Sequence, residues 1–490
     1  MKTPILAIAL SALSAFSASA APIELSLSDA IARARVRSVD AEVAINKLRS
    51  AYWEYRTYRA DLLPEVGFQA TLPAYYKQYS PYQNADGTYS FVSNNYMQLN
   101  GTVSVDQNIW LTGGKISLNT SLEFYRQLDG NKYNRFMSIP VALTLSQPIF
   151  GTNSIKWNRR IEPVRYSEAK AEFLSATEDV AMNAISYYFN LLLAQENVDI
   201  ASQNLENATR LYEVAKEKRE MGRISQNDLL QMELNQLEAE SSLTNSRSSL
   251  KAAMFQLRSF LDYGEDVEIV PVVPSDIPDV ILSFPDALER ALANNKFSKN
   301  LLRRQLEADY EVAKAKGNMR QIELFAQFGF TGTGNDAREA YDPLKTNQIV
   351  QLGFNIPILD WGKRKGKVKV AESNRQVVES QLRQESQDFN QDLFILVERF
   401  NNQRRQLDIA LRSDTIAARR YATNVETFMI GKISTLDLND SQVTKDEARQ
   451  SLINEMYLYW RYYYQLRSLT LWDYERNTGI DADIDALLRN

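Results

Sequence analysis

The amino-acid sequence predicts a membrane β-barrel plus a long barrel of coiled-coil α-helices, both encoded by a tandem repeat. Three observations predict this fold: few helix-breaking residues, apolar seams with heptad spacing, and segments of alternating polarity between the seams. The chain has 18 glycines and 14 prolines in 490 residues, about half of the average usage. Much of the chain is therefore predicted to be helical.

The N-terminus predicts export from the cytoplasm. Lys2 precedes an apolar stretch over residues 5–16, and Ala18-Ser19-Ala20 follows it. These are the three regions of a secretory signal peptide, so we expect residues 1–20 to be removed. A short N-terminal core helix fits less well, because a small-residue site follows the apolar stretch directly. Since the chain has no cysteine, we expect no lipidation at Cys.

The composition also excludes several functional classes. The absence of Cys and His excludes disulfides, thiolate nucleophiles, Cys/His metal sites and imidazole acid–base chemistry. A carboxylate enzyme is disfavoured because no Asp/Glu pair falls in a predicted cleft, so we expect no enzymatic activity and no cofactor. A net charge of −5 argues against nucleic-acid binding. Beyond the signal peptide no run of 18 apolar residues predicts a membrane-spanning helix, which leaves a soluble exported protein or a barrel.

The chain contains two copies of one pattern. A helix-opening motif at Leu25 recurs 257 residues later at Leu282, whereas a Pro-Ile motif at Pro148 and a Gly-x-Ile-Ser motif at Gly222 recur 209 residues later. Copy one therefore holds 48 residues before Pro148 that copy two lacks. The predicted organisation is repeat 1 over residues 21–270, a Pro-rich linker over 271–281, repeat 2 over 282–475 and a C-terminal tail over 476–490.

Each copy is predicted to contain a helix, strands, a long helix, a turn and a further helix. The long helix of copy one has apolar or small residues at alternating spacings of four and three, which is the seam of a coiled coil. A second stripe beside it, which includes Ile185 and Tyr188, predicts packing on two neighbours. At about 1.5 Å per residue the helix would be roughly 100 Å long. An exported coiled-coil scaffold or adhesin without a pore is the alternative.

Segments between the helices alternate apolar and polar residues. They lie near residues 103–109, 116–124, 139–145, 324–330 and 348–358. Strands of about ten residues with one apolar and one polar side are typical of an outer-membrane barrel with a wet interior. A one-sided soluble sheet has the same pattern strand by strand, but the predicted export favours the barrel.

Together these features resemble the TolC-like outer-membrane efflux proteins over essentially the whole mature chain. The tandem repeat, the Pro-rich linker, the phrase from Pro357-Ile-Leu-Asp to Trp361-Gly362-Lys-Arg, and the two Gly-x-Ile-Ser-x-x-Asp-Leu turns carry the resemblance. It implies a homotrimer with a barrel in the lipid of the outer membrane and a helical tunnel in the periplasm. It also implies a passive exit duct of a tripartite efflux or type I secretion system. Such a duct docks on a periplasmic adaptor (membrane fusion) protein, through which an inner-membrane pump of the RND or ABC type drives export.

The 48 additional residues depart from the family pattern of four strands per chain. They predict an extra hairpin at about 98–126, with a short turn at 111–114 and a long outer loop over 75–96. Six strands per chain would give an 18-stranded trimeric barrel. The alternative is a hairpin folded outside the wall or over the mouth.

The turns of the two copies are predicted to lie at the periplasmic tip. Glycine suits the left-handed end of a helix, and a serine followed three residues later by an aspartate is typical of a helix start. Helix capping is therefore the simplest interpretation of these two aspartates, Asp228 and Asp437. By the resemblance, the tip residues that contact an adaptor are Gly222, Ile224, Ser225, Asp228, Gly431, Ile433 and Ser434.

The second tip carries one more acidic residue than the first. Asp440 corresponds to Gln231 of copy one, and it shares a helix face with Asp437 because the two lie three residues apart. In the family, acidic residues at these positions ring the closed periplasmic entrance. The resemblance thus implies six carboxylates at one constriction, which favours cations.

The joints between strands and long helices form the last predicted site. They contain Pro148 in copy one and Pro357, Trp361 and Gly362 in copy two. Trp361 is predicted either to mark the lipid–water interface or to pack the joint. The aromatic run over residues 456–464 continues the 4–3 spacing, which favours core packing over a binding patch.

Overall fold

A computed structural model describes residues 22–130, 132–319, 322–354, 359–430 and 432–489. The predicted signal peptide, Pro357 and Gly431 lie outside the described residues. The chain forms two compact units. Over the described residues, we call 22–46, Glu172–Asn294 and 390–489 the helical unit, and Lys47–Ala171 and Asn295–Phe389 the sheet unit.

The elements follow the predicted order in both copies. In chain order they are β1 (Ile23–Leu25), α1 (Leu27–Arg37), α2 (Val39–Ala60), β2 (Glu65–Gln83), β3 (Tyr89–Ile109), β4 (Gly114–Gln127), β5 (Asn134–Ile149), α3 (Ser154–Glu220), α4 (Gln226–Leu261), β6 (Ile269–Pro271), α5 (Phe284–Asn294), α6 (Lys296–Gly317), β7 (Ile322–Gly334), β8 (Lys345–Phe354), α7 (Lys363–Met429), α8 (Thr435–Thr470), β9 (Trp472–Asp473), β10 (Thr478–Gly479) and α9 (Ile484–Arg489), with a 3₁₀ turn at Glu339–Tyr341. Helices α3 and α7 each have 67 residues, and α4 and α8 each have 36.

The sheet unit contains one antiparallel sheet in the order β2-β3-β4-β5-β7-β8. The 48 additional residues contribute strands to this sheet, with β3 and β4 lying between β2 and β5. Residues of one polarity line up across the strands: one row of register partners is Val105, Leu118, Leu143 and Phe328, and the adjacent row on the opposite face is Asp106, Ser117, Thr144 and Gln327. Because side chains alternate between faces, one face of the sheet is apolar and the other is polar.

The expected long outer loop over residues 75–96 is wrong. Strands β2 and β3 run through most of it and pair residue by residue from Tyr75↔Met97 to Gln83↔Tyr89. Tyrosines on neighbouring strands stabilise the extension: Tyr76 stacks on Tyr96, and Tyr96 on Tyr125, each at 4.8 Å between ring centroids. Aromatic pairs across neighbouring strands are favourable. Polar and apolar residues do not alternate strictly in this segment, so sequence analysis did not identify it as strands.

The core of the helical unit is built from the two predicted stripes of α3. Residues from both stripes are buried, among them Ala184, Ile185, Tyr188 and Leu191. The Tyr188 hydroxyl donates a hydrogen bond to the Val272 carbonyl (2.5 Å), beside the parallel pair β1–β6. Burial raises the pKa of Tyr188 to about 12.

The aromatic run near the end of α8 also packs in a core. Tyr459 and Tyr463 are almost fully buried, and both rings lie against Phe400 of α7 at 5.3 and 6.1 Å between centroids. The prediction of core packing for residues 456–464 is confirmed, because the continued 4–3 spacing places these rings on the buried side of the helix.

A buried cluster of charges lies beside this core. Glu178 of α3, whose side chain is 1 % exposed, contacts Arg35 of α1 at 2.5 Å and Arg467 of α8 at 2.9 Å. Arg467 also contacts Asp473 at 2.6 Å. The cluster therefore links three helices and β9 through ion pairs. Buried charges require such partners, because an unpaired one is costly.

Candidate functional site

The turn between α3 and α4 ends the first long helix by a specific hydrogen-bond pattern. Gly222 has φ +66°, its N–H donates to the Arg219 carbonyl (2.9 Å), and the Arg223 N–H donates to the Lys218 carbonyl (2.9 Å). This is a Schellman motif, which uses a left-handed residue to satisfy the last carbonyls of the helix. The predicted role of Gly222 as the helix stop is thus explained by its backbone.

The turn between α7 and α8 has a matching feature. The Lys432 N–H donates to the Thr427 carbonyl at 3.1 Å, which is the same six-to-one bond as in the first turn. Both long helices therefore end in the same manner over the described residues.

Identical capping boxes begin α4 and α8. The Asp228 N–H donates to Ser225 Oγ (3.1 Å), and the Ser225 N–H donates back to the Asp228 carboxylate (3.0 Å). Ser434 and Asp437 repeat both bonds at 3.2 Å. In each box the hydrogen bond from the serine side chain, followed in size of effect by the one from the serine N–H, holds the pKa of the aspartate below its usual range. This applies to both Asp228 and Asp437. Each box satisfies amide groups that a helix start otherwise leaves unpaired.

We call α3–α4 and α7–α8, with their turns, the two tip hairpins, and they pack on each other. Their shared cluster is formed by Leu211, Ala215, Met232, Tyr421 and Leu438. The predicted site residues Ile224 and Ile433 pack against this cluster from the turns. Asn207 Nδ2 donates to the Tyr421 hydroxyl at 3.3 Å, and Lys218 Nζ donates to the Met429 carbonyl at 3.4 Å. Burial raises the pKa of Tyr421.

The two predicted constriction residues lie on the exposed surface of α8. Asp437 caps the helix, while Asp440 forms an ion pair with Arg420 of α7 at 2.6 Å. The Asn424 amide adds a 3.5 Å hydrogen bond to the Asp437 carbonyl. Sequence analysis missed Arg420. The arginine lies 20 residues before its partner, and only the antiparallel packing of α7 and α8 brings them together.

A groove of about 530 Å³ opens between the tip hairpins. It is lined by apolar residues of both hairpins and by Lys218, Arg223 and Asp228. Ile430, which lines the groove, and Leu436 are strongly exposed.

The strand–helix joints are the second predicted site. Pro148 lies near the end of β5 and is the register partner of Glu323. Trp361 and Gly362 directly precede α7 with φ +52° and +82°. Because the Trp361 side chain is 89 % exposed, packing of the joint does not account for it, and its place at a lipid–water interface stays a prediction.

The sheet unit exposes much of its apolar face. Exposed side chains occur on β2, β4, β5, β7 and β8, among them Phe68, Leu118, Leu143, Phe328 and Leu352. Within the described ranges no helix is long and apolar enough to cross a membrane. Nor do the described acidic side chains form a group of three or more that could hold a metal ion.

Comparisons with known proteins agree with this geometry. The family model described as outer membrane efflux protein matches residues 30–261 and 289–470, one match to each repeat. The comparison with curated proteins gave no match. Similar solved structures include the outer membrane channel CmeC of Campylobacter jejuni (TM-score 0.66, 16% identity, 94% of this chain and 88% of that chain). The outer membrane protein VceC of Vibrio cholerae is also similar (0.63, 14%, 93% and 97%).

A third similar structure is the open state of the MtrE outer membrane channel of Neisseria gonorrhoeae (TM-score 0.59, 13% identity, 93% of this chain and 91% of that chain). At these identities the solved structures establish the fold alone. The family match covers most of both repeats and is described for efflux proteins rather than enzymes. The chain therefore belongs to the outer membrane efflux protein family.

Proposed function

We propose that this efflux protein works as a homotrimer, in which three chains complete one passive duct through the outer membrane and the periplasm. It is the exit component of a tripartite efflux or type I secretion system. The tip hairpins dock on a periplasmic adaptor protein, and an inner-membrane pump of the RND or ABC type acts through that adaptor.

The six-stranded sheet is the observation that supports this proposal best. In the described chain, β2 and β8 each pair with a single neighbouring strand, so each leaves one edge open. An open edge in lipid leaves backbone groups unpaired, which costs several kcal/mol per group. Joining β8 of one chain to β2 of the next removes the edges, and three chains of six strands give the 18-stranded wall.

The polarity of the inserted hairpin supports the same wall. Strands β3 and β4 keep their apolar residues in register with those of β5 and β7. A hairpin folded over the mouth of the barrel would not require an apolar face in register with the apolar face of the other strands. The continuous rows instead fit a wall with lipid on one side and water on the other.

The acidic tip supports a cation-selective entrance. Asp437 and Asp440 lie on the exposed surface of α8, and Arg420 balances part of their charge. Three copies around a narrow axis would bring six carboxylates together. A ring of this kind attracts cations and repels anions.

The test is single-channel recording in a planar bilayer with the detergent-purified full chain, after its mass has been measured. We expect a trimer mass and small cation-selective conductance steps. Asp437→Asn/Asp440→Asn should lower the cation preference, because the ring loses its charge. Asp228→Asn is the matched control: it removes the same type of cap from the other tip hairpin but leaves the Asp437/Asp440 pair intact.

Two results would contradict the proposal. A monomer mass in the folded protein would overturn the homotrimer. Equal selectivity in wild type and in Asp437→Asn/Asp440→Asn would overturn the acidic entrance while leaving the duct in place.

A further inference from the structure

The helix that follows β8 begins with an unusual concentration of positive charge. Residues 363–369 contain five cations, namely Lys363, Arg364, Lys365, Lys367 and Lys369, and the first turn of α7 contains no acidic residue. Cations at the start of a helix oppose its dipole. Within the helix only Lys369 has an acidic partner, Glu372 three residues later, so the helix dipole does not explain this concentration of positive charge.

Helix α3, the other long helix that follows a strand, also begins with positive charge. The first turn of α3, directly after β5, also has no acidic residue, and Lys156, Arg159 and Arg160 lie in its first two turns. By contrast, the first turns of α1, α4, α5 and α8 each contain an aspartate, although α6, which follows α5, has no acidic residue there. Both long helices that follow the sheet thus begin with positive charge.

Exposed aromatic residues accompany these charges in both repeats. Phe150 and Trp361 each precede a glycine between a strand and a long helix, and each has a left-handed backbone with φ +59° and +52°. Such φ values are uncommon for a residue other than glycine. Both side chains are nevertheless strongly exposed, at 72 and 89 %, so neither is held there by packing in its own chain.

A groove of about 640 Å³ brings the two features together within the sheet unit. Phe150, Gly151 and Thr152 line it with residues of α6 and α7, including Lys316, Lys365 and Lys369. Thr152 Oγ1 donates to the Ala313 carbonyl at 2.7 Å, which fixes the Phe150 segment against α6.

One acidic residue shares the groove. Glu372 contacts Lys316 at 3.0 Å and Lys369 at 2.9 Å, and these lysines lower its pKa. A single carboxylate does not balance both. Among the residues that line the groove, Lys365 forms no ion pair within the described chain, so three lysines against one carboxylate leave the groove with a net positive charge.

We propose that this groove and the lysines around it bind the headgroup of an anionic phospholipid, with Phe150 and Trp361 reaching the apolar zone of the same leaflet. A phospholipid is the ligand that combines a negative phosphate with apolar chains beside it. Lysines near a membrane surface attract anionic lipids, and aromatic rings favour the lipid–water interface. The surplus of positive charge selects an anionic lipid over a zwitterionic one. The inference rests on the proposed function, because the sheet must lie in a bilayer for the groove to meet lipid.

The test is reconstitution of the full chain in phosphatidylcholine vesicles with and without phosphatidylglycerol. Insertion is measured by protection of the sheet from protease, and the lipids that stay bound after detergent extraction are identified by mass spectrometry of the intact protein. We expect wild type to retain phosphatidylglycerol in preference to phosphatidylcholine. Lys316→Gln/Lys365→Gln/Lys369→Gln, which replaces the three lysines that line the groove, should lower that preference, by about fivefold for each lysine that contacts the lipid.

The matched control is Lys216→Gln/Lys251→Gln/Lys432→Gln. It makes the same change of charge on exposed lysines of the helical unit, outside the sheet that would lie in the bilayer, and it should retain the wild-type preference. High salt offers a second measurement that needs no variant, because screening should weaken the preference of the wild type.

The outcomes separate the two proposals. Wild type that inserts in neither vesicle overturns the duct and this inference together. Wild type that inserts in both but retains the two lipids equally overturns the lipid site alone. Inorganic phosphate that displaces the retained lipid at equal concentration also overturns it, because the groove then recognises phosphate without a membrane.

Discussion

Two contacts between arginine and a carboxylate, both in the helical unit, show how differently the same chemistry acts in two regions. Arg467 and Glu178 lie 2.9 Å apart in the buried cluster, with side chains that are 10 and 1 % exposed. Arg420 and Asp440 lie 2.6 Å apart at the tip, where they are 47 and 62 % exposed. The shorter contact is the weaker one, because water and salt screen it. Burial, rather than the distance between the charged atoms, therefore determines how much stability is lost when an ion pair is broken.

The buried cluster is costly to disrupt because its members depend on one another. Glu178 is shared by Arg35 and Arg467, and the Arg467 guanidinium also lies 5.0 Å from the centre of the Tyr464 ring. The tip pair has no such dependence. Because both of its members are exposed, replacing either one should have little effect on the stability of the fold.

The largest expected effect is that of Glu178→Ala. It leaves two arginines without their shared carboxylate, and removing one partner of a buried pair costs about 3–5 kcal/mol of the free energy of unfolding. Denaturant unfolding checks this value. Glu213→Ala is the control, because its ion pair with Lys216 (3.1 Å) is exposed to water and should contribute far less to stability. Equal losses in the two variants would contradict the dominance of burial.

Removal of either capping serine is expected to have an intermediate effect. Ser225→Ala and Ser434→Ala should each cost about 1 kcal/mol, the usual value of an N-cap. Hydrogen exchange of the first-turn amides of α4 and α8 measures the local loss. Because the two boxes have the same bonds, the losses should be equal. A clear inequality would mean that the tip hairpins differ in more than their charge.

The substitution Gly222→Ala tests the turn itself. An added Cβ meets no atom within 4 Å, so the expected cost of roughly 1 kcal/mol comes from the left-handed backbone alone. Gly264→Ala is the matched control, since that glycine also has open space but no left-handed φ. Thermal unfolding should distinguish the two, and a stable Gly222→Ala would argue against the Schellman turn.

The substitution Asp440→Asn should change the free energy of unfolding by less than about 0.5 kcal/mol, because both partners of its ion pair are exposed. The cation preference of the channel should fall nevertheless. Unfolding and conductance, measured on the same preparation, separate these effects. A large loss of stability would show that the tip pair acts like the buried cluster.

The pH dependence of the two caps gives the smallest effect. The pKa values of Asp228 and Asp437 are lowered in the folded chain, so the caps are complete above the unfolded pKa of about 3.9. Their contribution is lost as pH falls through the lowered folded pKa. Exchange of the capped amides should therefore be constant from neutral pH to about pH 5 and accelerate only in stronger acid, after correction for the intrinsic rate.

Much of this fold follows from local patterns. The 4–3 spacing predicts the long helices and the buried sides of α3 and α7, and the serine–aspartate spacing predicts both capping boxes. These signals are local because helix seams and caps involve residues within one or two turns. The extra hairpin was predicted for the same reason, since its strands alternate polarity.

Other features have no local signal. Glu178 meets Arg35 and Arg467 from 143 and 289 residues away in the chain, and nothing near any of the three indicates a buried partner. Arg420 at the tip was missed in the same way. The extended β2–β3 pair was predicted as a loop, because its tyrosines occupy both faces and obscure the period of two.

The inserted hairpin changes the number of strands in the sheet without changing the lengths of the long helices. Strand β3 leaves from the end of the sheet at which β4 returns, so the insertion adds two strands and leaves the direction of β5 unchanged. The helices beyond it keep the same 67 and 36 residues in both repeats. Between the two repeats, the number of strands therefore differs by one hairpin, while the lengths of the long helices do not differ at all. The width of the sheet and the length of the helices are thus encoded by separate segments of the chain.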